Sequence, residues 1–457
     1  MITVREVVDW SGGNLLQGDP ERVIRHVHFD SRQMEEEGLF VALTTGQRDG
    51  HQFIEGAIQK GACAVLVSQD QPSLRLNYPE ITFIYHKDTE AAFQSIARSY
   101  RQKVKIPLIA VTGSNGKTTT KDMIAHLLAA KFRVHKTYKN FNNHLGVPLS
   151  LLSIHPDHDL AVLEMGMNKP GEIRFLARLA SPTISVITNI GEAHIQYFGT
   201  REKIAQAKGE ILEETAPEGF VILNGDDPLL LNQAKRYPGQ VYFYSIRQQA
   251  DIYASQITYS EEGSHFNVHI DGKTIPCYMP LFGEHNVSNV LPAIFIAYRK
   301  GIDLDTIKQS LLTLQVADMR FQTIQGPHGS ILINDAYNAS PTSVKAAVHT
   351  FAHIYPSRQK VLVLGDIYEL GDLADDLHKE LGQYLKNRPF TVITVGEKSS
   401  HISKETGGIH CRTHREAALA LAPYLSSQYA ILFKGSRGME LEKVIDYVLE
   451  DAQLKEV

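Results

Sequence analysis

The sequence predicts an α/β protein of three domains built on mostly parallel sheets, and three observations carry that prediction. Short apolar runs recur along the whole chain, and stretches with helical spacing of apolar residues lie between them. Buried strands alternating with helices indicate a mostly parallel sheet covered on both faces. The runs fall into three groups, with boundaries expected near residues 88/89 and 317/318. A chain of 457 residues also matches about three domains of ordinary size, each able to bury its own core.

In residues 1–88, "GLFVAL" and "CAVLVS" are apolar runs bounded by glycine, and "HQFIEGAIQKG" between them is helix-like. This is expected to be a smaller α/β domain. The helix-like "TEAAFQSIARSYRQK" opens the second segment, 89–317. Its strands are expected at "IPLIAV", "LAVLEM", "TISVITNI" and "GFVILN". After a glycine loop, "MIAHLLAAK" has helical spacing through Met123, Leu127, Leu128 and Lys131. That combination predicts a central, doubly wound sheet of the phosphate-loop type. In the third segment, 318–457, the strands "ILIND", "KVLVLGD", "FTVITVG" and "AILFKG" alternate with "PTSVKAAVHTFAHI", "LADDLHKELGQYLKN" and "REAALALAPYL". A second doubly wound, Rossmann-like domain is expected there.

Composition narrows the function. The chain is 43% hydrophobic and 21% charged, ordinary for a globular protein, and carries a net charge of −5 with no long basic run. That argues against a nucleic-acid partner. Cys63, Cys277 and Cys411 are scattered and match no metal spacing, as expected for free thiols in a cytoplasmic protein. "MITVREVVDW" has no signal-peptide core, and "LPAIFIAY" falls far short of the roughly 18 apolar residues of a membrane span.

"VTGSNGKTTT", residues 111–120, places only Ser114 and Asn115 between Gly113 and Gly116-Lys117-Thr118-Thr119. A standard phosphate loop has four residues between its first glycine and the Gly-Lys pair. The context still suits phosphate: an apolar strand feeds the turn, and a helix starting at Lys117 would present free N–H groups and partial positive charge. Lys117 would reach the outer phosphates and the Thr118 hydroxyl would hold Mg²⁺. A plain strand-to-helix turn with an exposed lysine fits the same residues, so the neighbours decide. Ligands of open α/β sheets sit beyond the C-terminal strand ends. Glu164 ends "LAVLEM" and His194 follows "TISVITNI", so both belong on the rim of the loop. There a carboxylate and an imidazole suit a metal, although a helix cap and a hydrogen-bonded loop histidine are the plainer alternatives.

Lys208 is unusual. "TREKIAQAKGEILEE" puts Ile204, Lys208, Ile211 and Leu212 on one helical face. A lysine on a buried stripe either snorkels or is desolvated. A desolvated, neutral amine can react with CO₂ and become an anionic carbamate.

"TGSNGKTTT", "EMG", "NIGEAHIQYFGT", "IAQAKGEI" and "GEHNVSNVLPAI" together resemble the Mur ligases, ATP-dependent amide-forming enzymes of peptidoglycan synthesis. Their phosphate loop is shortened in the same way. The resemblance covers nearly the whole chain. It implies that Gly113 to Thr119 cradle ATP, that Thr118, Glu164, His194 and carbamylated Lys208 serve two Mg²⁺ ions, and that Lys117, Glu164, His194 and Lys208 are catalytic. It places adenine at Asn286 and Asn289, ribose at Asp335, and the arginine that meets ATP across the hinge at Arg320. "FDSRQMEEEGLFVAL" and "GQRDGHQFIEGAIQKGA" resemble the part that binds the uridine-diphosphate end of the substrate, through Asp30, Ser31, Arg32, Arg48, Gly50 and His51.

Within the family, "KNFNNHLGVPLSLL", "LEMGMNKPGEI", "DAYNASPTSVKAA", "LGDIYELGD" and "KGSRGMELEKV" are similar to the members that add a D-alanyl-D-alanine dipeptide to UDP-N-acetylmuramoyl-tripeptide. Tyr337, Asn338, Ser436 and Arg437 would then line the peptide end. Ser340, Ile367 and His144 depart from that pattern, where Asn, Met and an acidic residue are more usual. These departures bear on fine substrate preference. Diaminoacid-adding and folylpolyglutamate-forming relatives, and a nucleotide-binding regulator that has lost catalysis, are the alternatives. The implied protein is a cytoplasmic monomer.

Overall fold

The computed structural model describes residues 1–453 apart from 47, 261 and 316–317. The expected boundary at 317/318 abuts residues that lie outside that set, as do 454–457 at the expected end of the third segment.

Three larger sheets, of five, nine and six strands, organise the described residues, beside two small two-stranded pairs. In the nine-stranded sheet the order runs Val134–Lys136, Leu160–Glu164, Leu108–Thr112, Ile184–Ile187, Phe220–Asn224, Gln240–Ser245, Ile252–Tyr259, Ser264–Ile270, Lys273–Met279. Pairing is parallel up to Ile252–Tyr259, and two antiparallel hairpin pairings then finish the edge. The apolar runs of the second segment supply its centre; Ile109, Ala110, Val111, Val162, Leu163 and Val186 are completely buried. Fully burying one Val, Leu or Ile contributes about 1.5–3 kcal/mol, so this continuous run holds the layer together. The hairpin edge alternates buried and more open residues along Ser264–Ile270, with Ser264, Phe266, Val268 and Ile270 buried, the pattern of a sheet with one wet face. It was not anticipated, because "SHFNVHI" mixes polar and apolar residues in a way that also fits loop.

The helix Lys117–Leu128 buries Met123, Ile124, Leu127 and Leu128 against the helix Glu284–Arg299. It stops at Leu128, so Lys131 lies beyond it and is exposed. "LPAIFIAY" belongs to Glu284–Arg299, which is buried from Asn289 to Ala297 inside the protein. No helix among the described residues is long and apolar enough to cross a membrane.

The six-stranded sheet runs Gln322–Gln325, Ile331–Asn334, Tyr429–Lys434, Gln359–Gly365, Phe390–Val395, Ile409–Cys411, parallel except for its first pair. The register Asn334 to Phe433 brings Asp335 and Lys434 to the same strand-end rim. The five-stranded sheet, between residues 14 and 85, is parallel except where Asn14–Gln17 meets Thr82–Tyr85. The helix Thr89–Lys103, capped by the Asp88 carboxylate on the Ala91 N–H, packs against Val4–Ser11, Gly146–Leu152 and Glu172–Ala180. It therefore cements the first layer to the second.

Candidate active site

The strand ends of the nine- and six-stranded sheets face one cleft of about 1110 Å³. Its lining includes Ser114 to Thr119, Glu164 and His194 on one side and Arg320, Asp335, Tyr337 and Asn338 on the other.

The short loop has a physical explanation. Val111, at the place of a standard first glycine, is a fully buried strand residue, so the strand runs further before the turn. Gly113 and Gly116 have φ of +149° and +79°. A Cβ at Gly113 would lie 1.8 Å from Thr188 Oγ1, and one at Gly116 would lie 2.3 Å from Asn289 Oδ1. Only glycine fits both the backbone and the space. The helix that follows has no side-chain cap, so its first N–H groups are left for a ligand. Ser114 and Asn115 N–H groups are anchored on Asn189, at 2.9 and 3.0 Å, which fixes the curve of the loop.

Parallel pairing sets Val111 beside Glu164. The Thr118 hydroxyl donates to Glu164 Oε2 at 2.7 Å, and Asn142 Nδ2 donates to Oε1 at 2.7 Å. Arg320 Nη2 donates to Thr118 Oγ1 at 3.1 Å, with its guanidinium 4.1 Å from the Tyr337 ring centre. The Lys117 ammonium donates to the Gly113 and Ser114 carbonyls at 2.9 and 3.3 Å. Burial pushes its pKa down and Glu164 pulls it back up. Lys208 is 1% exposed, on the helix Arg201–Glu213 among buried Ile204, Ile211 and Leu212. Burial, and then repulsion from Lys117, drive its pKa well below the lysine range. No carboxylate among the described residues pairs with it.

His194 sits in the left-handed region, φ +67°, heading the short turn Ile195–Phe198. Its Nδ1 lies 2.6 Å from Glu369 Oε2. Glu369 reaches across from the third segment and is held below the usual carboxylate range by His194 and, less, by Lys117. Sequence reasoning quoted "LGDIYELGD" without singling out Glu369; an exposed-looking glutamate in a loop gives no signal. Among the described residues, no three His, Cys, Asp or Glu side chains are grouped to hold a metal ion. The oxygen pair of Thr118 and Glu164 nonetheless suits Mg²⁺, which takes one or two protein oxygens and fills its shell with phosphate and water. His194 and Lys208 do not make such a pair as they stand, since Glu369 covers one and the other is a cation or a neutral amine.

Asn286 and Asn289 are buried on the helix Glu284–Arg299 and line the cleft. Asn286 Nδ2 is spent on the Phe282 carbonyl at 2.8 Å. Asp335 accepts from Lys434 Nζ at 2.7 Å and from the Phe321 N–H at 3.2 Å. Sequence reasoning missed Lys434. It belongs to "KGSRGMELEKV", but its neighbours Ser436 and Arg437 were named instead. Those two are not in the cleft lining. Ser436 is 3% exposed and accepts the Tyr368 N–H at 2.8 Å, while Arg437 pairs with Glu442 at 2.6 Å.

The uridine-diphosphate candidates stand apart, on the first sheet. Asp30 pairs with Arg32 at 2.7 Å, which pulls the aspartate down to about 2. Ser31 opens the turn Asp30 caps, and Arg48 is exposed. Gly50 faces the Leu43 backbone closely enough to exclude a Cβ, and buried His51 accepts the Ser68 N–H at 3.0 Å. None of the six lines the main cleft.

Comparison with known proteins identifies relatives over the whole chain. The Mur ligase middle domain matches residues 111–297, the Mur ligase glutamate ligase domain 319–437, and the Mur ligase family catalytic domain 23–101. The UDP-N-acetylmuramoyl-tripeptide–D-alanyl-D-alanine ligase of Bacillus subtilis is 40% identical over 98% of both chains. The crystal structure of MurF from Acinetobacter baumannii superimposes with a TM-score of 0.89 at 30% identity, covering 98% of each chain. MurF from Thermotoga maritima in complex with ADP gives 0.84 at 26% identity, over 94% of this chain and 98% of that one. On full-length identity and matching fold, the chain belongs to the Mur ligase family.

Proposed function

We propose that this chain joins D-alanyl-D-alanine to the C-terminal carboxylate of UDP-N-acetylmuramoyl-tripeptide, with ATP split to ADP and phosphate. One observation carries the reading: Lys117, Thr118 and Glu164 meet Arg320, Asp335, Tyr337 and Asn338 around one cleft. The full-length likeness to relatives named for this reaction supports the choice of substrates. Residues 1–88 would bind the uridine-diphosphate end through Asp30, Ser31, Arg32, Arg48, Gly50 and His51. Residues 89–317 would bind ATP, and 318–457 the dipeptide. The protein would act in the cytoplasm, as a monomer.

Mechanistically, the substrate carboxylate attacks the γ-phosphorus of ATP, the bond to ADP breaks, and an acyl phosphate forms. The neutral amine of the dipeptide then attacks the acyl carbon; phosphate leaves and the amine loses its proton. Uncapped N–H groups at Lys117 to Thr119 orient the phosphates, and Lys117 and Arg320 offset the charge that spreads over the transferring oxygens. Two Mg²⁺ ions would supply further charge stabilisation there: Thr118 and Glu164 would hold one, and His194 and Lys208 would serve the other only once Glu369 moves off His194 and Lys208 is carbamylated. Carbamylation would give buried Lys208 the anionic form it needs beside Lys117. Binding ATP and closing the third segment hold the reacting atoms about 3 Å apart and exclude water.

The reading is tested by phosphate release. Release should require ATP, the UDP-tripeptide and D-alanyl-D-alanine together. Equal release with the nucleotide alone would point to a plain ATPase.

A further inference from the structure

Lys434 is the one member of the "KGSR" stretch that turns into the cleft, and it is 4% exposed. Its ammonium meets Asp335 Oδ2 at 2.7 Å, the Asn338 carbonyl at 3.1 Å and the Asp335 carbonyl at 3.5 Å. An ammonium has three N–H donors, and all three face protein oxygens. It has none left over for a ligand. Its partner Asp335 accepts from the Phe321 N–H, the residue after Arg320, and Arg320 in turn donates to Thr118. A further titratable group beside this pair is His285, which burial pushes down to about 4 and so keeps uncharged. Lys434 is therefore the cation that holds the Asp335 carboxylate, while the exposed Arg437–Glu442 pair lies outside the cleft.

We propose that Lys434 is a positioning residue: by saturating its donors on Asp335 and Asn338 it fixes the Asp335 carboxylate to accept a hydrogen bond from the nucleotide ribose. The inference rests on the reading of Asp335 as the ribose contact and goes beyond it by naming what sets that contact.

The test compares binding of ADP and 2′,3′-dideoxy-ADP by titration calorimetry, with no turnover involved. Wild-type protein should prefer ADP by roughly tenfold or more, the scale of a hydrogen bond to a charged group. In Lys434→Met the preference should shrink to about threefold or less, and Lys434→Arg should restore most of it. Circular dichroism confirms folding. If Lys434→Met does not fold, Lys434→Leu, which likewise has no donor for Asp335, is judged by the same ratio. A wild-type preference that persists in full in the folded neutral variant overturns the role of Lys434 alone. No preference in wild-type protein removes the ribose assignment, and the inference with it.

Discussion

Lys208 shows how much a single residue can disclose. Its place on an apolar stripe was legible from spacing, and the structure finds it 1% exposed without a carboxylate partner among the described residues. What spacing could not give is its neighbour: repulsion from Lys117 arises because two distant elements meet. If Lys208 works as a carbamate, Lys208→Ala should lose roughly 10²-fold or more in turnover, the scale of removing one preorganised electrostatic group. Small carboxylates at high concentration should restore part of it. Turnover near the wild-type level in a folded Lys208→Ala protein would remove the carbamate from the mechanism. That Lys117, Thr118, Glu164 and His194 line one cleft was readable because each stands at a strand end or helix start. Lys434 and Glu369 were not, because their significance lies in Asp335 and His194, which are remote in sequence.

Among the elements, the loop from strand Leu108–Thr112 to helix Lys117–Leu128 is the most tightly specified. Gly116 has φ +79°, and a Cβ there would meet Asn289 Oδ1 at 2.3 Å. Gly116→Ala should therefore strain the loop and displace Asn289. We expect a stability loss of about 1–2 kcal/mol, the scale of one strained backbone residue, read by urea unfolding. ADP affinity should fall roughly tenfold or more. Unchanged ADP affinity would show that the loop does not meet the nucleotide. The parallel strands were legible because a fully buried strand is a continuous apolar run. The antiparallel edge from Ile252 to Met279, half exposed, left no such run. Ser436 and Arg437 are the opposite case: polar residues in a suggestive motif that bond to Tyr368 and Glu442 and do not line the cleft.

At the scale of the whole molecule, acid should loosen the fold before carboxylates titrate. Burial pushes His28, His135 and His285 each down to about 4. The unfolded chain binds protons near 6.5 that the folded chain refuses. Stability from this source is thus present above pH 6.5 and lost as pH falls toward 4, by up to about 1.4 kcal/mol per pH unit for each histidine. Urea-unfolding free energies between pH 6.5 and 5.5 should fall with that sign, and His28→Gln should flatten the slope. A flat profile in the parent protein would mean these rings are solvated. The central claim is that the second and third segments assemble one amide-forming site selective for a dipeptide. The most direct measurement is mass spectrometry of the product when D-alanyl-D-alanine, D-alanine, meso-diaminopimelate and L-lysine compete at equal concentration, with ATP and both UDP-muramoyl-dipeptide and UDP-muramoyl-tripeptide as acceptors. The expected dominant product is the tripeptide acceptor extended by D-alanyl-D-alanine; a diamino acid joined to the dipeptide acceptor would contradict it.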